Sequence, residues 1–206
     1  MHNVGVNYKR GNYTVAAREW RALAEAGHAQ AQVSLGWLYL HGRGVAQDYA
    51  VARQFFEKAA VQGRVEAQYN LARLYYSGQG GSQDYSQACY WYEKAALQGS
   101  VGAQVNLGTL YINGQGCQKN YPEAVFWFLL AEKQGNALAF VKLGLMYEHG
   151  EGVAHDLVQA YHWYHLGEVA GEVMGAQFRD NLAEQMTVAQ VQEAQQLAKE
   201  WVARRR

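Results

Sequence analysis

The apolar residues of this chain recur every three or four positions, which is the spacing of one face of an α-helix. Ala31, Leu35 and Tyr39 follow one another at intervals of four residues and predict a first helix, called helix A. A second apolar series predicts a following helix, called helix B, and begins with Ala52, Phe55, Phe56 and Ala59. The pattern therefore predicts two helices in close succession.

The residues between these helices predict a tight turn. Gly42 and Gly44 end helix A, because glycine adopts the left-handed conformation at little steric cost. Asp48 then caps the free amide groups of helix B. Small alanines let the two helices approach closely, and one large aromatic residue in each helix B fills the space between neighbouring pairs. These aromatic residues are Phe55, Trp91, Trp127 and Trp163.

The helix pair is repeated four times at a constant interval. The glycines that end the units stand 36 residues apart, at Gly27, Gly63, Gly99, Gly135 and Gly171. The cap recurs at the same interval, at Asp48, Asp84, Asn120 and Asp156. Self-similarity at this length is the signature of a solenoid, in which each unit stacks on the next. We therefore expect a single solenoid domain over residues 1–206, with repeats at 28–63, 64–99, 100–135 and 136–171.

Both ends of the chain depart from the repeat, as the ends of an array should. Residues 1–27 predict a half unit in which Trp20 matches an aromatic position of helix B. Residues 172–206 predict two capping helices, the second of which opens with a capping box of Thr187 and Gln190.

Charge and hydropathy narrow the possible partners. Eighteen basic residues balance eighteen acidic ones, so the chain lacks the positive charge expected for binding nucleic acid or anionic membranes. The basic tip of Arg204, Arg205 and Arg206 is interpreted as a solvated terminus. The longest apolar run, residues 124–131, is too short to cross a bilayer. We expect neither nucleic-acid binding nor membrane insertion.

The start of the chain and its two cysteines bear on localisation and redox state. The first residues lack the hydrophobic core of a secretory signal, so the protein is cytoplasmic, or it is periplasmic or secreted after removal of a signal. Cys89 and Cys117 fall at different positions of the repeat. They are interpreted as two free thiols rather than as a disulfide.

The chain resembles the Sel1-like repeat (SLR) family, a relative of the tetratricopeptide repeat, over residues 28–171. The resemblance rests on the repeated motif A-x-x-x-L-G-x-x-Y-x-x-G-x-G-V-x-x-D-x-x-x-A-x-x-W-Y-x-K-A-A-x-x-G, with local departures such as Ala72 in place of the first glycine. It implies an all-α fold, a right-handed α-α superhelix (solenoid) of helix pairs that serves as a non-catalytic scaffold or adaptor for a protein or peptide. Many members of the family are bacterial and exported.

Serine and histidine residues form no recognisable catalytic pattern. Some relatives of the family are described as weak penicillin-binding or β-lactamase proteins, which implies an S-x-x-K nucleophile, but no serine here precedes a lysine by three residues. His155, His162 and His165 lie close in sequence without an H-E-x-x-H motif, and are interpreted as helix-surface residues rather than zinc ligands. We expect no cofactor, no metal and no catalytic residue, with a weak penicillin-binding or β-lactamase-like enzyme as the alternative.

The surface formed by the A helices is the remaining candidate site. If helix A lines the concave side, as it does in tetratricopeptide arrays, a groove is bordered by Val33, Ser34, Trp37, Leu40, Tyr69, Asn70, Arg73, Tyr76, Val105, Asn106, Thr109, Ile112, Val141, Lys142, Leu145 and Glu148. This mixture of aromatic, amide and basic side chains suits an extended peptide, although it also suits a plain solvated face. The predicted peptide-binding residues are Trp37, Tyr69, Asn70, Arg73, Tyr76, Asn106, Thr109 and Lys142.

Three of these residues occupy the same repeat position. Asn70, Asn106 and Lys142 predict a ladder along the groove, with Arg73 one helical turn from Asn70. In tetratricopeptide arrays that bind peptide C-termini, asparagine and basic residues hold the terminal carboxylate. The resemblance implies a similar role here.

Overall fold

The computed structural model describes residues 4–204, with side chains from residue 6 onward. Over that range the chain is all-helical and has no strand, which confirms the predicted fold class. The described helices are α1 (Val4–Lys9), α2 (Tyr13–Glu25), α3 (Ala29–His41), α4 (Tyr49–Ala60), α5 (Val65–Ser77), α6 (Tyr85–Leu97), α7 (Val101–Asn113), α8 (Tyr121–Lys133), α9 (Ala137–His149), α10 (Leu157–Val169), α11 (Val173–Ala183) and α12 (Val188–Ala203). Arg205 and Arg206, from the predicted basic tip, lie outside the described residues.

Each helix A runs antiparallel to the helix B that follows it. The Asp48 N–H at the start of α4 donates a 3.0 Å hydrogen bond to the Tyr39 carbonyl near the end of α3. At the opposite end, Gln62 Nε2 donates to Gln32 Oε1, over 2.8 Å, so the end of helix B meets the start of helix A. The contact made by Asp48 is repeated by Asp84, Asn120 and Asp156.

The turn and cap signals in the sequence have the structural roles predicted for them. Gly42 has a φ of 65° and ends α3 in the left-handed conformation. Asp48 accepts hydrogen bonds from two backbone N–H groups in the first turn of α4. Pro122 lies in the first turn of α8, and Thr187 and Gln190 form the capping box that opens α12. These local features set the length and spacing of every helix pair.

A large ring from helix B packs against a residue with little or no side chain in helix A. Phe56 of α4 is fully buried, and a Cβ atom placed on Gly36 would lie 3.0 Å from its Cε1 atom. The equivalent pairs are Ala72 with Tyr92, Gly108 with Phe128, and Gly144 with Tyr164. This close approach explains the small residue after the leucine in each helix A.

Buried glutamines join successive helices through side-chain hydrogen bonds, a feature that the hydrophobic pattern did not indicate. Gln68 Nε2 on α5 donates to the Ala60 carbonyl at the end of α4, over 3.2 Å. Gln68 Oε1 accepts from Gln98 Nε2, which follows α6, over 2.8 Å. The same position on α9 is Phe140, which instead packs against aromatic rings.

The described chain divides into two compact units. The first contains the residues up to 103 together with 115–117, and the second contains 104–114 and the residues from 118 onward. The first unit opens with α1 and α2, whose Ala16 and Trp20 share a core with Leu35. The second ends with α12, whose Ala194 shares a core with Tyr161 and Leu182. Among the described helices, none is both long and apolar enough to cross a bilayer.

Candidate functional site

The open surface of each helix A is a narrow stripe. On α5, Glu66 and Arg73 are exposed and Asn70 is half-buried, so the stripe follows a spacing of three and four residues. It is narrow because α5 packs against both α4 and α6. Side chains on most of its circumference therefore face other helices.

This packing corrects part of the predicted groove border. Val105 and Val141 are 4% and 1% exposed, so they do not border an open surface. Val141 is covered because α9 packs against both α8 and α10. Glu148 accepts a hydrogen bond from the Tyr164 hydroxyl on α10, and therefore faces its own helix B rather than a groove.

An open cavity of about 410 Å³ lies on this stripe in the first unit. Two predicted site residues, Trp37 of α3 and Asn70 of α5, line it together. The other lining residues are Tyr8, Trp20, Val33, Ser34 and Glu66. The structure thus brings an indole and an amide to one cavity.

Tyr8 and Trp20 in this cavity were not predicted as site residues. The Tyr8 ring lies 5.8 Å from the Trp37 ring, edge to face, and 5.2 Å from the Trp20 ring, measured between centroids. Trp20 matched an aromatic core position of the repeat, and nothing in the sequence distinguished it from core. Trp20 is indeed a buried core residue, at 9% exposed, and only the edge of its ring reaches the cavity.

Cationic side chains gather beside Trp37. The guanidinium carbon of Arg43 lies 4.8 Å from the Trp37 ring centroid, and Arg43 Nη1 donates to the Tyr13 hydroxyl over 3.3 Å. The His41 ring centroid lies 4.3 Å from that of Trp37. Burial, followed by the positive charges of Arg43 and Arg73, lowers the pKa of His41 below its ordinary value. Arg73 is thus close enough to His41 to add to this positive field.

The remaining predicted residues of α5 form their own contacts. The Arg73 guanidinium lies 5.8 Å from the centroid of the Tyr69 ring, which in turn packs against Tyr92. Tyr76 is 39% exposed. Asn70 Nδ2 donates to the Glu66 carbonyl of its own helix, over 2.7 Å, which uses one of the two hydrogens of its amide group.

Asn106, Thr109 and Lys142 belong to the second unit and are half-buried there. The Thr109 hydroxyl donates to the Val105 carbonyl one turn earlier on α7, over 3.0 Å. Among the described residues, no carboxylate forms an ion pair with Lys142. The predicted ladder of Asn70, Asn106 and Lys142 includes residues of both units and stays a prediction.

The histidines differ from one another in environment. His162 is 5% exposed, so its interpretation as a helix-surface residue is wrong. Burial, and then the charge of His165, lower the pKa of His162 to about 4. His165 lies 3.4 Å from a carboxylate oxygen of Glu168, which Arg179 also pairs with. Within residues 4–204, no three His, Cys, Asp or Glu side chains converge as metal ligands would.

Comparison with known proteins agrees with this architecture. The model of the Sel1 repeat family matches residues 29–63, 65–100, 101–136 and 138–167. A search of functionally curated proteins gives no match.

Several solved structures are similar to the chain. A Sel1 repeat protein from Oxalobacter formigenes is 34% identical with a TM-score of 0.81, over 87% of this chain and 74% of that one. A protective antigen of uropathogenic Escherichia coli that displays an SLR fold is 25% identical with a TM-score of 0.57, over 98% of this chain and 60% of that one. An immunity protein from Pseudomonas aeruginosa is 21% identical with a TM-score of 0.51, over 85% of this chain and 69% of that one, and shares the fold alone.

Proposed function

The chain belongs to the Sel1 repeat family, and from this membership we propose that it is a non-catalytic adaptor that binds an extended segment of a protein partner. Sel1 repeat proteins typically serve as interaction scaffolds. The observation that carries the proposal is the cavity of the first unit, which joins an aromatic wall to cationic side chains at its edge. Such a surface offers apolar contact to one side chain of a peptide and a charge partner to an acidic group.

The proposed roles follow from these positions. Trp37 and Asn70 contact the peptide within the cavity, while Tyr69 and Tyr76 provide flanking apolar surface. Arg73 receives a carboxylate of the peptide, either at its C-terminus or on an acidic side chain, because no described carboxylate pairs with it already. In the second unit, Asn106, Thr109 and Lys142 contact a further part of the same partner.

A display library of random peptides with free C-termini provides the probe. The tightest binder is synthesised with a fluorophore, both as the free acid and as the C-terminal amide, and its affinity is measured by fluorescence anisotropy. Losing one charge-assisted hydrogen bond costs about 1.5–3 kcal/mol, or roughly ten- to a hundredfold in affinity. Arg73→Ala and Asn106→Ala are each expected to weaken binding by this factor without lowering the melting temperature appreciably.

Matched variants separate the groove from general effects. Arg18→Ala removes an exposed cation from α2 and should leave the affinity unchanged. Ser34→Phe fills the cavity without truncating its aromatic wall and should abolish binding. Leu107→Ala removes a fully buried side chain and should lower stability instead. Unchanged affinity in both Arg73→Ala and Ser34→Phe would place binding on another surface.

The non-catalytic part of the proposal has its own assay. We expect no hydrolysis of the β-lactam nitrocefin by the purified chain. Turnover that co-elutes with the protein through two chromatographic steps would contradict the proposal and favour a β-lactamase-like enzyme.

A further inference from the structure

The two cysteines of the chain meet although they belong to different repeats. Cys89 lies on α6, and Cys117 lies in the turn that follows α7. Both belong to the first compact unit, and each thiol is close enough to the other to alter its pKa. The Cys117 thiol also donates to the Gln115 carbonyl, over 3.7 Å. Their different positions within the repeat predicted two free thiols, and both are free in the structure. They nevertheless approach each other because the turn of one repeat folds back onto helix B of the repeat before it.

The backbone of the turn explains this contact. Gly116 has a φ of 73°, and a Cβ atom placed on it would overlap the backbone of Tyr85. Tyr85 begins α6, and Cys89 follows it by one helical turn. Because Cys117 is the neighbour of Gly116, its side chain begins beside the same turn of α6.

The preceding repeat has the same geometry with other residues. Gly81 and Arg53 stand 36 residues before Cys117 and Cys89. A Cβ atom on Gly81 would lie 3.3 Å from the guanidinium carbon of Arg53. The residue after the second glycine of the turn therefore faces this position of the preceding helix B. Only where the turn after α7 meets α6 are the two facing positions both cysteine.

The two thiols differ in their access to solvent. Cys89 is buried, whereas Cys117 is half-buried. Burial raises the pKa of both thiols above the ordinary value. The interaction between the thiols raises the pKa of Cys89 further and lowers that of Cys117, and the negative charge of Glu93 raises both. Thiolate is therefore scarce at neutral pH, and reaction with an external reagent is slow and begins at Cys117.

We propose that Cys89 and Cys117 are a modification site, and that they form an intramolecular disulfide on reaction with a small disulfide such as oxidised glutathione. The Cys117 thiolate attacks one glutathione sulfur and releases the other as a thiolate, which gives a mixed disulfide. The Cys89 thiolate then attacks Cys117 Sγ and releases the second glutathione. The two protein thiols lose two protons and two electrons, and oxidised glutathione becomes two molecules of reduced glutathione. The new bond links α6 to the turn before α8.

Mass spectrometry of the full chain tests this proposal. The protein is equilibrated for hours with oxidised glutathione, unfolded, treated with a maleimide and measured intact before and after proteolysis. We expect the loss of two hydrogen atoms in mass, no maleimide adduct, and one peptide pair that joins residues 89 and 117. Reduction before unfolding should restore two maleimide adducts. A stable glutathione adduct, a disulfide-linked dimer or two free thiols at equilibrium would each overturn the proposal.

Matched variants test whether the contact itself directs the reaction. Cys89→Ser should give a glutathione adduct on Cys117, because the resolving thiol is gone. Adding Arg53→Cys to this variant restores two thiols but places the second one a full repeat away. This double variant should form no internal disulfide. If it links as readily as the natural pair, the specific pairing is wrong.

Discussion

At the scale of single residues, the glycine in helix A decides how closely helix B approaches. A Cβ atom on Gly36 would touch the edge of the Phe56 ring at 3.0 Å, whereas one on Gly144 would overlap the ring of Tyr164. The Tyr164 ring is also held at its hydroxyl by Glu148, so it cannot turn aside freely. The two positions share one sequence role but differ in the space around them.

Gly144→Ala is therefore expected to destabilise the protein more than Gly36→Ala. Alanine gains about 1 kcal/mol over glycine in helix propensity, while overpacking a core typically costs about 1–3 kcal/mol. At Gly144, the cost of overlap with the Tyr164 ring should exceed the gain in helix propensity. At Gly36, the cost of the closer packing and the gain in helix propensity should nearly cancel. Urea unfolding followed by circular dichroism measures both. A Gly144→Ala protein as stable as the natural chain would show that the Tyr164 ring moves at little cost.

The residues whose roles were predicted correctly from the sequence interact with groups that are near them in the chain. Gly42 ends a helix, and Asp48 caps one, through groups within a few residues. His162 and Glu148 were misjudged because their surroundings come from other helices. Trp201 of α12 and Arg204, which follows α12, line the same cavity as His162, and Tyr164 of α10 binds Glu148. A periodic pattern shows which face of a helix is apolar, but not which helix covers the rest.

At the scale of helices, buried glutamines connect three of the A helices, α3, α5 and α7, to neighbouring helix ends. Gln68 makes two side-chain hydrogen bonds, one to the end of α4 and one to Gln98 after α6. The same arrangement joins Gln32 with Gln62, and Gln104 with Gln134. These bonds set the distance between helix ends that the apolar contacts alone would leave free to slide.

Gln68→Met is expected to lower the free energy of unfolding by about 1–3 kcal/mol. Methionine has a similar length and fills the same space, but it makes neither hydrogen bond, and each such bond contributes about 0.5–1.5 kcal/mol. The exposed partner should matter less, so Gln98→Ala should cost under about 1 kcal/mol. Denaturant titration of both single variants and of the double variant gives the coupling energy. A Gln68→Met protein as stable as the natural chain would show that the hydrogen bonds of Gln68 do not stabilise the fold.

At the scale of the whole molecule, the question is how many parts of the chain unfold cooperatively. We propose that residues 1–206 unfold as a single domain. The helix α7 contributes residues to both compact units, so neither unit contains the whole of this helix.

Scanning calorimetry tests this proposal. A single domain should give one heat-capacity peak, with a calorimetric enthalpy equal to the van't Hoff enthalpy. Arg73→Ala serves as the control variant, because this exposed side chain has little packing to lose. Two resolved peaks, of which Gly144→Ala shifts only one, would show that the two units unfold separately.

The turns within a repeat and the turns between repeats differ in how closely they contact other residues. The second glycine of each turn from helix A to helix B rests against the backbone of the preceding helix B, as Gly116 does against Tyr85. A Cβ atom on Gly63 or Gly99, which end the B helices, would meet no atom within 4 Å. When a gene gains or loses a segment, the encoded protein still folds only if the residues at the new junction do not disturb the packing of the helices. The coding sequence thus has favoured breakpoints, one in each unit after helix B, at which repeats can be added or removed during evolution.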